Sequence, residues 1–63
     1  MKVKQYFFRI YYSNASGFIR VYHSFRYESS KERNRALSAS LRAMRELSCD
    51  VRDIVKLSEC VEL

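Results

Sequence analysis

The chain of 63 residues contains no proline and a single glycine, Gly17. These two residue types most often interrupt helices and strands, so the sequence predicts regular structure almost from end to end. A chain of this length forms one domain, residues 1–63, with little core to spare for a deep catalytic pocket. Function is therefore expected on a surface.

The residue types that build catalytic and metal sites are scarce. There is one histidine, His23, and the two cysteines, Cys49 and Cys60, form no CxxC pair. Zinc is not expected, and the thiols are expected to be reduced and to behave as small hydrophobes. No phosphate-binding glycine loop or nucleophile–base pair is present. We expect a protein that is not an enzyme and that uses no cofactor, metal or small-molecule substrate.

Long apolar runs are also missing. Lys2, Lys4 and Arg9 interrupt the apolar stretch near the N-terminus, which excludes a signal-peptide core and a membrane span there. A cytoplasmic location without a membrane partner is the expectation.

What the chain has is a cluster of aromatic residues. All nine tyrosines and phenylalanines lie between Tyr6 and Tyr27, with arginines among them. Aromatic rings build the core of a small domain, but rings interleaved with arginine also form stacking surfaces for bases and hot spots for protein partners.

The net charge of +5 is unevenly distributed, because residues 1–48 carry +7 and residues 49–63 carry −2. A basic body favours anionic partners, which include nucleic acid, phospholipid surfaces and acidic proteins.

Alternation of residue types predicts two strands, over residues 3–12 and 18–28, each with one buried face. Between them, Asn14 and Gly17 suit the first and fourth positions of a type I turn, with φ above zero at Gly17. A four-residue loop places Ser13 opposite Phe18 and makes the pairs on the inner face apolar or nearly so. These predicted pairs are Tyr12–Ile19, Ile10–Val21, Phe8–His23 and Tyr6–Phe25, with Tyr27 also inside.

A capping box, Ser29 to Glu32, predicts a helix over residues 30–48. The core-facing stripe of this helix is predicted to contain Leu37, Leu41, Met44 and Leu47, with Ser40 among them. A cationic stripe contains Lys31, Arg35, Ser38, Arg42 and Arg45, and Glu46 is positioned to pair with Arg42.

A third strand is predicted around residues 54–57, extending through Cys60 and Val61, with a bulge or an early end near Ser58. Its predicted inner residues are Val55, Leu57, Val61 and Leu63. The fold class is α+β: a β-β-α-β chain forming a three-stranded antiparallel sheet of order 2-1-3, with one helix packed on one face.

The face opposite the helix is the predicted binding surface. It is predicted to contain Phe7, Arg9, Tyr11, Phe18, Arg20, Tyr22 and Arg26. These residues fit three interpretations: a stabilising cross-strand ladder, a nucleic-acid surface, and a protein interface formed with an acidic partner or a second copy. The signature of RNA-binding sheet domains is absent. The cationic helix stripe is a secondary candidate for phosphate contacts, or a solvated helix face.

In size, element order and lack of enzymatic motifs, the chain resembles the small accessory proteins of temperate bacteriophages. That resemblance implies binding of a host protein or nucleic acid, in some cases as an inhibitor of host defence. The leading hypothesis is a non-enzymatic protein that binds an anionic partner, nucleic acid first. The alternative is a protein–protein interaction module, either a homodimer or a regulator of a host protein.

Overall fold

The computed structural model describes all residues, 1–63, as three strands and one helix. These elements are β1 (Lys2–Ser13), β2 (Ile19–His23), α1 (Ser30–Glu46) and β3 (Asp50–Glu62). The strands form one sheet of order β2-β1-β3, and both neighbouring pairs are antiparallel. The predicted α+β fold and strand order are confirmed.

The molecule is elongated because β1 and β3 are long and pair along their whole length. The Cα positions extend over 45 × 19 × 14 Å, with a radius of gyration of 13.2 Å. A compact chain of 63 residues has a radius of gyration of about 11 Å. One side of this long sheet carries α1, and nothing in the chain covers the other side.

The predicted turn between β1 and β2 is confirmed, but the predicted register is wrong. The Gly17 N–H donates to the Asn14 carbonyl oxygen at 2.9 Å, and Gly17 has a φ of 83°. Phe18 also stays in the loop, so Ser13 pairs with Ile19 instead of Phe18. One extra loop residue shifts β2 by one position and exchanges its two faces.

The shift places Tyr22, and not Val21, on the inner face opposite Ile10. The Tyr22 ring lies 6.1 Å from the Phe8 ring, between centroids. A tyrosine at this edge covers more of the core than valine does, and its hydroxyl still reaches water. His23 pairs with Arg9 on the outer face and is exposed, so its predicted contact with Phe8 is wrong.

A second irregularity follows β2. The Phe8 N–H donates to Ser24 Oγ at 2.8 Å, and the Ser24 N–H donates to the Phe8 carbonyl at 3.0 Å. Tyr6 and Tyr27 then form a bridge, which leaves one extra residue on the β2 side between the two pairs. Tyr27 packs against the core as predicted, whereas Phe25 is 77% exposed and its predicted inner position is wrong.

The helix begins as predicted at Ser30, with Ser29 as N-cap. The Ser29 Oγ accepts the Glu32 N–H at 3.2 Å, which satisfies one of the donors left free at a helix start. The helix ends at Glu46, two residues before the predicted end, and Leu47 is its C-cap and is exposed. Its predicted core position is therefore wrong.

The core is small, with four buried apolar side chains: Phe8, Ile10, Leu37 and Met44. Leu41, Tyr12, Tyr27, Val51, Ala36 and Cys49 pack against them and are partly buried. Every buried side-chain nitrogen or oxygen has a hydrogen-bond partner. Of the three aromatic residues of β1 that were predicted in the core, Phe8 is buried and Tyr12 packs against it, whereas Tyr6 is partly buried outside this cluster.

The inner face of β3 differs from its prediction because the bulge is elsewhere. Tyr11 pairs with Asp53 and Tyr12 with Val51, so Arg52 is the extra residue, and the strand is continuous past Ser58. This bulge changes the phase of the alternation and puts both Val51 and Ile54 on the helix side.

Beyond the bulge, the predicted inner residues of β3 lie on the outer face. Val55, Leu57 and Val61 pair with the outer residues Arg9, Phe7 and Val3, respectively. Leu63 lies past the strand end and is exposed. The prediction that these four residues point into the core is wrong.

Candidate functional site

The structure brings together four of the seven residues predicted on the sheet surface. Phe7, Arg9 and Tyr11 lie on the uncovered face of β1, and Arg26 stacks on the Phe7 ring. Phe18 is exposed in the loop. Arg20 and Tyr22 pair with Tyr12 and Ile10, so they lie on the helix side, and the predicted surface is divided between the two faces.

The uncovered face, which we call the outer face, is mainly apolar. Alternation along the three paired strands places these side chains on it: Val3, Phe7, Tyr11, Ile19, Val21, Val55, Leu57 and Val61. Those on β1 and β3 are only partly buried by one another, while Val21 and Ile19 are exposed. Exposed apolar side chains that lie together on one face are typical of interaction surfaces, so this face is a candidate site.

Arg26 organises the centre of the outer face. Its guanidinium carbon lies 4.4 Å from the centroid of the Phe7 ring. Its two terminal nitrogens donate to Gln5 Oε1 at 3.3 Å and to Glu59 Oε2 at 3.4 Å. Arg26 is therefore occupied by groups of its own chain. A guanidinium held in this way has fewer donors left for a phosphate.

The charges on the outer face balance. Arg26 pairs with Glu59, and the remaining charged groups among the paired positions are Arg9 on β1 and Asp53 on β3. At the bulge, Arg52 pairs with Asp50 at 3.5 Å. A surface that carries cations and carboxylates in equal number does not attract a polyanion strongly.

The cationic helix stripe lies on the side of α1 that points away from the sheet. Lys31, Arg35, Arg42 and Arg45 are all exposed, and none of them forms an ion pair. The predicted pairing of Glu46 with Arg42 does not occur, since the three ion pairs of the structure involve other residues. From Lys31 to Arg45 the stripe is about 21 Å long at the helical rise of 1.5 Å per residue.

The helix side as a whole carries the excess positive charge. Nine of the twelve lysines and arginines lie there: Lys2, Lys4, Arg20, Lys31, Arg33, Arg35, Arg42, Arg45 and Lys56. Four carboxylates accompany them: Glu28, Glu32, Glu46 and Glu62. The net charge of +5 is therefore concentrated on one side of the sheet, a property that only the true register reveals.

Arg33 differs from the other helix cations because it is half-buried. Its guanidinium carbon lies 5.5 Å from the Tyr6 ring centroid, and its Nη1 donates to the Leu57 carbonyl at 3.3 Å. These two contacts connect the first turns of α1 to β1 and β3. We assign it a structural role.

Between α1 and the edge of the sheet lies a shallow apolar hollow of about 270 Å³. Its walls include Tyr12, Tyr22, Met44 and Leu47, and Ser40 is its one polar side chain besides the tyrosine hydroxyls. This hollow was not predicted from the sequence, because Tyr22 was expected on the other face of the sheet. Binding sites for small molecules need several converging polar groups, and this hollow has few.

No group of three or more histidine, cysteine, aspartate or glutamate side chains is placed to hold a metal ion. Both cysteines are free. The helix is too short and too polar to cross a membrane.

No protein-family model, curated protein or solved structure matches the chain.

Proposed function

We propose that the protein is a non-enzymatic binding protein that engages an anionic partner, nucleic acid first, through the helix side. The observation that supports this proposal is the separation of charge between the two sides of the sheet. The outer face is neutral, and the helix side carries the whole excess of positive charge. Polyanion binding depends on such a local excess more than on net charge.

The cationic helix stripe is the centre of this surface. Arg35, Arg42 and Arg45 are exposed and unpaired, so their guanidinium donors are available to phosphate oxygens. Contacts of this kind fix a protein on a nucleic-acid backbone without reading the bases. The proposal therefore predicts binding with little sequence preference. The proposal includes a role as a bacteriophage accessory protein, which the resemblance to the small accessory proteins of temperate bacteriophages implies.

The test measures affinity by fluorescence anisotropy with single- and double-stranded oligonucleotides over a range of salt concentrations. Affinity should fall steeply with salt, because each phosphate contact adds about one to the steepness of the plot of log affinity against log salt concentration. The double variant Arg42→Gln, Arg45→Gln is expected to reduce the slope by about two and to weaken binding to all sequences similarly.

Arg9→Gln is the control, and each of the single variants Arg42→Gln and Arg45→Gln matches it in charge, because Arg9→Gln removes one positive charge from the outer face. It should leave the salt slope unchanged. Absence of binding at low salt would contradict the proposal. Equal weakening by Arg9→Gln would show that the outer face, and not the helix side, is the site.

A protein–protein interaction function is the second candidate. The observation that favours it is the group of partly exposed apolar side chains on the outer face, because apolar side chains surrounded by polar ones are typical of protein interfaces. The two candidates use opposite sides of the sheet, so one does not exclude the other.

A further inference from the structure

We propose that a second copy of this chain covers the outer face, in a face-to-face dimer with both helices on the outside. This inference rests on the second candidate function and is independent of polyanion binding. Three observations carry it: the surface area of the chain, the size of its core, and the distribution of charge between the two sides of the sheet.

The chain has a larger solvent-accessible surface than the average folded monomeric protein of the same mass. Its accessible surface is 4889 Å², whereas a folded monomer of 7.5 kDa exposes about 4,250 Å². The excess, about 600 Å², approaches the ~800 Å² that each partner buries in a standard stable interface.

A single copy of this 63-residue chain buries few apolar side chains. Four apolar side chains are buried, and they all lie between α1 and the sheet. Small domains with so little core are commonly stabilised by disulfides, metals or oligomerisation. Both cysteines are free and no group of side chains is placed to hold a metal ion. A sandwich of two sheets spaced by about 10 Å adds a second core between the outer faces.

The charges favour a copy over a polyanion or a highly charged protein as the occupant. The outer face carries equal numbers of cations and carboxylates, so a two-fold axis can place charges of opposite sign across the interface. In the face-to-face arrangement the two helix sides, which carry the excess charge, point away from each other. Repulsion between the two copies is then smallest.

The test is sedimentation velocity of the full chain without nucleic acid, from about 1 µM to about 1 mM. The expected result is a species of twice the 7.5 kDa chain mass, with the monomer appearing on dilution. A single 7.5 kDa species throughout would overturn the proposal. Binding of oligonucleotide, measured separately, is not affected by that result.

A pair of matched variants tests which surface associates. Val21, on the outer face, and Ile54, on the helix side, are both mid-strand and are 40% and 38% exposed. Val21→Lys should weaken the dimer by at least about tenfold, since it buries an unpaired charge from each copy. Ile54→Lys is expected to change the dimer dissociation constant by less than about threefold, because Ile54 lies on the side of the sheet that points away from the partner.

Leu57→Lys is a second variant on the outer face, at the opposite edge of the sheet from Val21. Circular dichroism of each variant verifies the fold before sedimentation. A dimer that survives both Val21→Lys and Leu57→Lys would overturn the face-to-face arrangement.

Discussion

Replacement of Ser48 by glycine is expected to stabilise the protein. Ser48 follows the C-cap of α1 and has a φ of 59°, in the left-handed region. Its N–H donates to the Arg45 carbonyl at 3.0 Å, and the Cys49 N–H donates to the Met44 carbonyl at 2.9 Å. These two bonds form a Schellman motif, in which glycine is the preferred residue at this position.

The magnitude follows from the backbone alone. A residue with a Cβ in the left-handed region loses about 1–2 kcal/mol, and glycine avoids this loss but gives up more conformational entropy on folding. The expected net gain in the free energy of unfolding is about 0.5–1 kcal/mol. For a domain of this size, that raises the melting temperature by about 2–8 °C.

The assay is thermal and urea unfolding followed by far-UV circular dichroism at one fixed protein concentration, because association also contributes to stability. Ser38→Gly is the control, since Ser38 is exposed in the middle of α1 and glycine there loses about 0.5 kcal/mol relative to serine. The reasoning is refuted if Ser48→Gly melts at or below the temperature of the unaltered chain.

Two further substitutions test the local structure, both by urea unfolding. Gly17→Ala should destabilise the protein by about 1 kcal/mol, because Gly17 has a φ of 83°, which a residue with a Cβ adopts only with strain. A steric clash does not contribute, since a Cβ at Gly17 meets no atom within 4 Å. An unchanged midpoint would mean that the turn adopts another conformation. Ser29→Ala removes the N-cap acceptor and should destabilise by about 1 kcal/mol, whereas Ser29→Asp keeps an acceptor and most of the stability. Equal losses in the two Ser29 variants would contradict the capping role.

The candidate site was only partly predictable from the sequence, because the register of strand pairing decides which residues share one face of the sheet. The turn at Asn14–Gly17 was correctly predicted, but nothing local decides whether Phe18 belongs to the loop or to β2. One residue more in the loop moved Arg20 and Tyr22 to the helix side. The expected Arg/Tyr surface therefore became a mainly apolar outer face and a separate cationic side.

The position of the bulge in β3 was likewise not predictable from the sequence. Val51 and Ile54 share the helix side only because Arg52 is an extra residue between them, opposite Tyr11 and Tyr12. A strand with apolar residues on both faces fits two phases of alternation equally well. The contact with β1 and α1 selects between the two phases.

By itself, the sequence determined the element order, the N-cap at Ser29, the turn at Gly17 and the face of β1 that points to the helix. Each of these depends on interactions between near neighbours or on a long alternating pattern. The tertiary structure decided which residues of β2 and β3 face the helix. That choice depends on pairing between distant segments, where a shift of one residue exchanges the two faces at little local expense.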